Sequence, residues 1–167
     1  MNPESAVAQL AASILVREVD ATLLASLQEP ATAAVLKQIE PAAGELLERD
    51  WTEADFDDAA VEYCRLFILT PAAPARAVAY DETKGNEVAG RIQFMLDSGF
   101  LELPEHFATL TPDHVALLLL VASSLSGDDY IQFRKDNLFW LGEFTEKLGK
   151  ASSHPIYQLV GKIVRVM

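Results

Sequence analysis

Residues whose types and spacing could do chemistry or recognise a ligand fall in two places. One is Glu62-Tyr63-Cys64-Arg65-Leu66-Phe67 with the proline-bounded loop that follows it, and the other is Thr111-Pro112-Asp113-His114 at the head of the most apolar segment. Asp113 beside His114 offers an acceptor next to an imidazole, but a carboxylate in a first helical turn also complements the positive end of the helix dipole. Tyr63 and Phe67, four residues apart, read on spacing alone as core residues. His106, His114 and His154 lie on three separate elements, and no His-x-x-x-His or Glu-x-x-His pair exists to seed a metal site. Cys64 is the only cysteine, beside an apolar stripe, and reads as an inert core thiol. No Gly-rich phosphate cradle, P-loop or Gly-x-Ser-x-Gly nucleophile elbow is present. The carboxylate pairs Asp57-Asp58 and Asp128-Asp129 sit at helix starts or on solvent-facing positions. These features argue against an enzyme and call for no cofactor.

The elements that must position these residues are helical. Ser5 is the expected cap of a first helix with Val7, Ala11, Ile14 and Leu15 on one face. Asp20 opens a second helix, Glu29-Pro30 a third, and Pro41 a short fourth that runs toward Glu48. Thr52 followed by Asp55 starts a helix with Phe56, Ala60, Tyr63 and Phe67 on its buried stripe, and Asp57, Asp58 and Glu62 on the wetter side; it runs out near Thr70, before Pro71. Pro71 to Asp81 reads as a loop of about a dozen residues, a length that in compact domains is often functional or mobile.

A sixth helix follows from Glu82 or Thr83 to Ser98-Gly99, and Leu103-Pro104 opens a brief helical turn. Thr111 then caps a helix with Pro112 in its first position, apolar all round from Val115 to Val121 and ended by Ser126-Gly127; it is the expected central element. Asp128 or Asp129 opens one long helix with Phe133, Trp140, Phe144 and Leu148 on a side, and His154-Pro155 starts the last, with Ile156, Leu159, Val160 and Ile163 at helical spacing. There is no sustained strand alternation and no internal repeat. The fold class is all-α, a compact helical bundle forming a single domain over residues 1–167.

A chain of 167 residues suits one domain. Its 25 acidic and 13 basic residues give a net charge of -12, which opposes binding to nucleic acid or anionic membrane and favours a basic partner. A single cysteine excludes an internal disulfide. The start of the chain lacks a basic n-region, and the longest apolar run, Val115 to Ala122, is far short of the ~20 residues of a membrane span. These observations place the protein in the cytoplasm.

Taken in order, Glu62-Tyr63-Cys64-Arg65-Leu66-Phe67, the loop with Pro71, Pro74 and Tyr80, Pro112-Asp113-His114 before an apolar helix, Phe139-Trp140, and the closing His154-Pro155-Ile156-Tyr157 helix resemble the TorD/DmsD/NarJ family of redox-enzyme maturation chaperones. The resemblance implies a TorD-like helical chaperone without a cofactor. It would bind the twin-arginine signal peptide, or the apo form, of a molybdenum-cofactor oxidoreductase and hold it for cofactor insertion before export. By position, Tyr63, Leu66 and Phe67 would line the apolar part of the peptide site, Pro71, Pro74 and Tyr80 would shape the adjoining loop, and Asp113 and His114 would form its polar edge. An arginine pair followed by an apolar stretch matches an acidic protein with an apolar groove. A homodimer formed by helix exchange, with the Pro71–Asp81 loop as hinge, is a further expectation. The second reading is a helical assembly subunit that binds a folded redox-enzyme partner and ignores signal peptides; a small nucleotide hydrolase is the third, opposed by the missing phosphate loop.

Overall fold

The buried centre of the fold is α7, Val115–Ser123, whose residues from Val115 to Ala122 are all buried. The computed structural model describes residues 3–167, with side chains from Ser5 onward. The helices before α7 are α1 (Pro3–Leu15), α2 (Ala21–Gln28), α3 (Pro30–Ile39), α4 (Ala43–Glu48), α5 (Glu53–Tyr63) and α6 (Glu82–Asp97). After it come α8 (Gly127–Asn137), α9 (Leu141–Ala151) and α10 (Pro155–Arg165). Among the described residues there is no β-strand, only one isolated bridge between Arg76 and His114. The fold is all-α and of the TorD-like type.

Helix α1 packs along α7 and also against α10, α9 and α10 form a hairpin, and α2, α3 and α4 cluster beside α10. The alanines of α1 permit this close approach: Ala8, Ala11 and Ala12 are fully buried against α7's leucines. Local signals set several of the helix starts. Asp20 accepts the Leu23 amide at the head of α2. Thr52 and Asp55 form a reciprocal capping box at the head of α5. His154 Nδ1 accepts the Ile156 amide, and Pro155 takes the first position of α10. Gly99, at φ 74°, ends the run of α6 in the left-handed conformation that a glycine adopts without strain.

Six expectations are corrected. Helix α1 already contains Pro3, so Ser5 is a buried residue inside it and not its cap. Helix α5 does not stay α-helical toward Thr70: from Cys64 to Ile68 the chain forms a π-helical turn, with the Leu69 amide bonded to the Cys64 carbonyl at 3.1 Å. Glu62 is buried rather than wet, for reasons given below.

Helix α7 begins at Val115, not at Pro112. The Ala77 amide bonds to the Asp113 carbonyl and the Val115 amide to the Ala75 carbonyl; Pro112 and Asp113 form a turn closed by the His114 amide on the Thr111 carbonyl, and His114 is extended. The same helix stops at Ser123, because Ser126 is the extended residue that heads α8. Finally, the long helix expected after Asp128 is two helices, broken at 138–140. Asn137 donates to the Phe133 carbonyl and accepts from Arg91, while the Trp140 indole donates to the Asn137 carbonyl. These side-chain bonds compete with continuation of the helix.

The loop from Pro71 to Asp81 is not featureless. Ala77–Ala79 forms a 3-10 turn packed on α6, and Gly85 makes that approach possible, since a Cβ there would lie 2.4 Å from the Val78 nitrogen.

Candidate functional site

The π-helical turn decides which side chains of the first marked segment can reach a ligand. Phe67 meets Tyr63 edge to face, with ring centroids 5.1 Å apart, and both rings lie against Tyr157 of α10. Tyr63 donates its hydroxyl to the Leu15 carbonyl at the end of α1, 3.2 Å away, and burial pushes its pKa up to about 12. Leu66 is turned fully inward, whereas Ile68 and Leu69 are thrown out to solvent, Leu69 with 80% of its surface exposed.

The second marked segment is fastened to the loop. Asp113 is fully buried; its Oδ1 accepts from Arg76 Nε at 3.0 Å and its Oδ2 from the Val78 amide at 3.2 Å. His114 heads α7, with Nδ1 accepting the Ala116 amide at 3.2 Å. Burial, partly opposed by the Asp113 charge, lowers the His114 pKa to about 4, so the imidazole is neutral at pH 7. Tyr80 closes the loop by donating to the Pro74 carbonyl at 2.9 Å and stacking on Trp140, centroids 4.9 Å apart.

These two places share one open cleft of about 830 Å³. Tyr63, Phe67, Pro71, Pro74 and His114 line it, together with Val16, Val19, Ile68, Val78 and Leu110. Leu66, Tyr80 and Asp113 do not reach it; they stand behind its wall, Leu66 in the core, Tyr80 against Trp140 and Asp113 beneath Arg76. Four charged residues also line the cleft. Arg17 is paired with Asp20 and Arg76 with Asp113, which leaves Glu18 as the carboxylate with no cation partner among the described residues. Sequence reasoning missed Arg76 and Glu18. Arg76 carried a signal, as the sole cation between Pro71 and Asp81, while Glu18 carried none.

Glu62 lies beside the cleft and holds its wall together. Its carboxylate accepts from Arg65 at 2.7 and 2.9 Å, from the Ser153 amide at 2.7 Å and hydroxyl at 3.1 Å, and from the His154 amide at 3.3 Å. The Arg65 bonds, then the Ser153 and His154 donors, hold its pKa down at about 2 against the opposing effect of burial. Cys64 is half-buried rather than in the core, with Sγ 3.7 Å from Glu18 Oε1; burial and that carboxylate raise its pKa, which opposes thiolate formation.

Among the described residues no three His, Cys, Asp or Glu side chains are grouped to hold a metal ion, and no helix is long and apolar enough to cross a membrane. What the site offers is an open apolar trough whose rim carries two ion-paired arginines and one carboxylate, Glu18, without a cation partner among the described residues, the form of a binding protein for an extended segment. The all-helical scaffold is of the type found in the TorD-like redox-enzyme maturation chaperones. Residues 23–148, three quarters of the chain, match the family described as nitrate reductase delta subunit, and the chain belongs to that family of molybdoenzyme maturation chaperones. No curated protein and no solved structure matches it.

Proposed function

We propose that this protein is a cytoplasmic chaperone that receives the twin-arginine signal peptide of a molybdenum-cofactor oxidoreductase, or the apo-enzyme bearing it, and holds it until the cofactor is inserted. The family description makes a nitrate-reductase-type enzyme the leading class of client. The observation that carries this reading is the cleft itself. Tyr63, Phe67, Pro71, Pro74 and His114, which lie in segments far apart in the chain, face one apolar trough on a protein of net charge -12.

In this reading the apolar stretch of the peptide lies on Val16, Val19, Phe67, Pro71, Pro74 and Leu110. Each side chain buried there contributes roughly 1.5 to 3 kcal/mol before ordering costs. Asp113 acts from behind the wall: its bonds to Arg76 and Val78 set the shape of the loop edge, and the arginines of the peptide do not reach it. Leu66 and Tyr80 support the site in the same indirect way, by packing. A neutral His114 offers Nε2 at the trough as a hydrogen-bonding group rather than as a charge that would repel arginine.

The test is a tagged pull-down from the native host under anaerobic growth, with the captured proteins identified and their N-termini sequenced by mass spectrometry. Recovery of a molybdoenzyme precursor with its leader intact is the expected result. Recovery of only mature, leaderless enzyme would replace this reading with that of an assembly subunit for a folded partner.

A further inference from the structure

The cleft of about 830 Å³ has room for a few apolar side chains but not for a whole signal-peptide core, so a bound segment must continue beyond it. On one side it continues into a second hollow of about 540 Å³, lined by Glu18, Ala60, Val61, Cys64, Arg65, Leu69 and Thr70. Glu18 lines both hollows and is the divide between them. Exposed Val61 and Leu69, 69% and 80% accessible, flank it on the far side, and Val16, Val19 and Ile68 on the near side.

The electrostatics of this divide are uneven. Arg17 is committed to Asp20, and Arg65 is committed to Glu62 and the Ala151 carbonyl. Glu18 is exposed, and among the described residues its side chain forms no ion pair and accepts a hydrogen bond from the weak Cys64 thiol at 3.7 Å. It also lies three residues beyond Leu15, the last residue of α1, a 13-residue helix whose C-terminal end carries partial negative charge. An unpaired carboxylate, reinforced by a helix C-terminus and bordered by apolar surface, suits a side chain with a cationic head and a long apolar stem.

Resting on the peptide-binding reading above, we infer that Glu18 is the residue that receives an arginine of the bound peptide, with the aliphatic stem of that arginine on Val61 and Leu69 and the apolar residues that follow it in the larger cleft. Asp113 does not take this role, since it is buried and already paired. Glu18 precedes the family-matched span of residues 23–148, so the assignment rests on geometry and charge in this chain.

The test is a double-mutant cycle by fluorescence anisotropy. Its probes are a labelled synthetic peptide with two adjacent arginines ahead of a leucine-alanine run, and the same peptide with both arginines replaced by glutamine. Glu18→Gln should weaken the arginine peptide about fivefold at low salt, less at high salt, and leave the glutamine peptide unchanged. Glu18→Lys should weaken the arginine peptide further. Circular dichroism of both variants should match wild type, because among the described residues Glu18 makes no ion pair whose loss would disturb the fold. Equal affinities of wild type and Glu18→Gln for the arginine peptide would overturn the role of Glu18 and leave the cleft reading standing. Failure of wild type to bind either peptide would overturn both.

Discussion

Arg76 Nε lies 3.0 Å from Oδ1 of the fully buried Asp113, and through this pair the loop after Pro71 is fastened to the head of α7. The contact gives the cleft a fixed edge without a regular element to supply it, since Asp113 also takes the Val78 amide and its backbone carbonyl takes the Ala77 amide. Three bonds on one residue make it the clasp of the site. Removing it should therefore be felt in stability before it is felt in recognition.

Asp113→Ala is predicted to cost about 2 kcal/mol, because the Val78 amide and Arg76 both lose their acceptor while the half-exposed Arg76 regains water. Urea unfolding should show a lower midpoint with far-ultraviolet helical content retained. An unchanged midpoint would mean that the clasp does not hold the loop.

Gly85→Ala is predicted to destabilise by about 1 to 3 kcal/mol. The new methyl would meet backbone, the Val78 nitrogen at 2.4 Å and Cα at 2.5 Å, and would push the 3-10 turn off α6. Gly90→Ala, on the exposed face of the same helix with nothing within 4 Å, should instead gain about 0.5 to 1 kcal/mol. Thermal melts of the two variants should move in opposite directions. Movement in the same direction would remove the steric account.

Glu62 gives a signature in acid. Its folded pKa of about 2 lies below the ordinary 4.5, so its contribution is fully present above pH 4.5 and is lost as pH falls from 4.5 toward 2. Glu62→Gln should cost on the order of 3 kcal/mol at pH 7, and the gap between wild type and variant should close across that window. A gap independent of pH would place the effect in packing and not in charge.

His114 works in a different window. Its pKa falls from 6.5 to about 4 in the folded state, so between these values the unfolded chain binds the extra proton and stability rises with pH. Wild type should lose stability as pH falls from 6.5 to about 4, where protonation also removes the Nδ1 acceptor for the Ala116 amide. His114→Asn, which caps a helix without titrating, should flatten this part of the profile in denaturant titrations. An equal slope in wild type and variant would assign the pH dependence to other groups.

The sequence by itself determined the helical class, the central place of the apolar helix, and the heads of α2, α5 and α10. Those features are written in contiguous residues: Asp20 caps a helix three residues away, Thr52 meets Asp55, and Val115 to Ala122 are apolar whatever surrounds them. It also marked Tyr63, Phe67, Pro71, Pro74 and His114, which share the cleft.

Tertiary structure alone decided the rest, because the deciding partners are distant in the chain. Asp113 reads locally as a first-turn carboxylate, yet Arg76, 37 residues earlier, and the loop backbone draw it out of the helix and bury it. Glu62 reads as a wet position, yet besides its ion pair with Arg65 it takes donors from Ser153, 91 residues later, which satisfy it inside the protein. The helix break at 138–140 has a partner in Arg91 of α6, and the free charge of Glu18 is visible only once Arg17, Arg65 and Arg76 are seen to be taken. Capping and periodicity act within one or two turns and are legible from neighbours; ion pairing and burial depend on which distant donors arrive, and only the folded chain brings them.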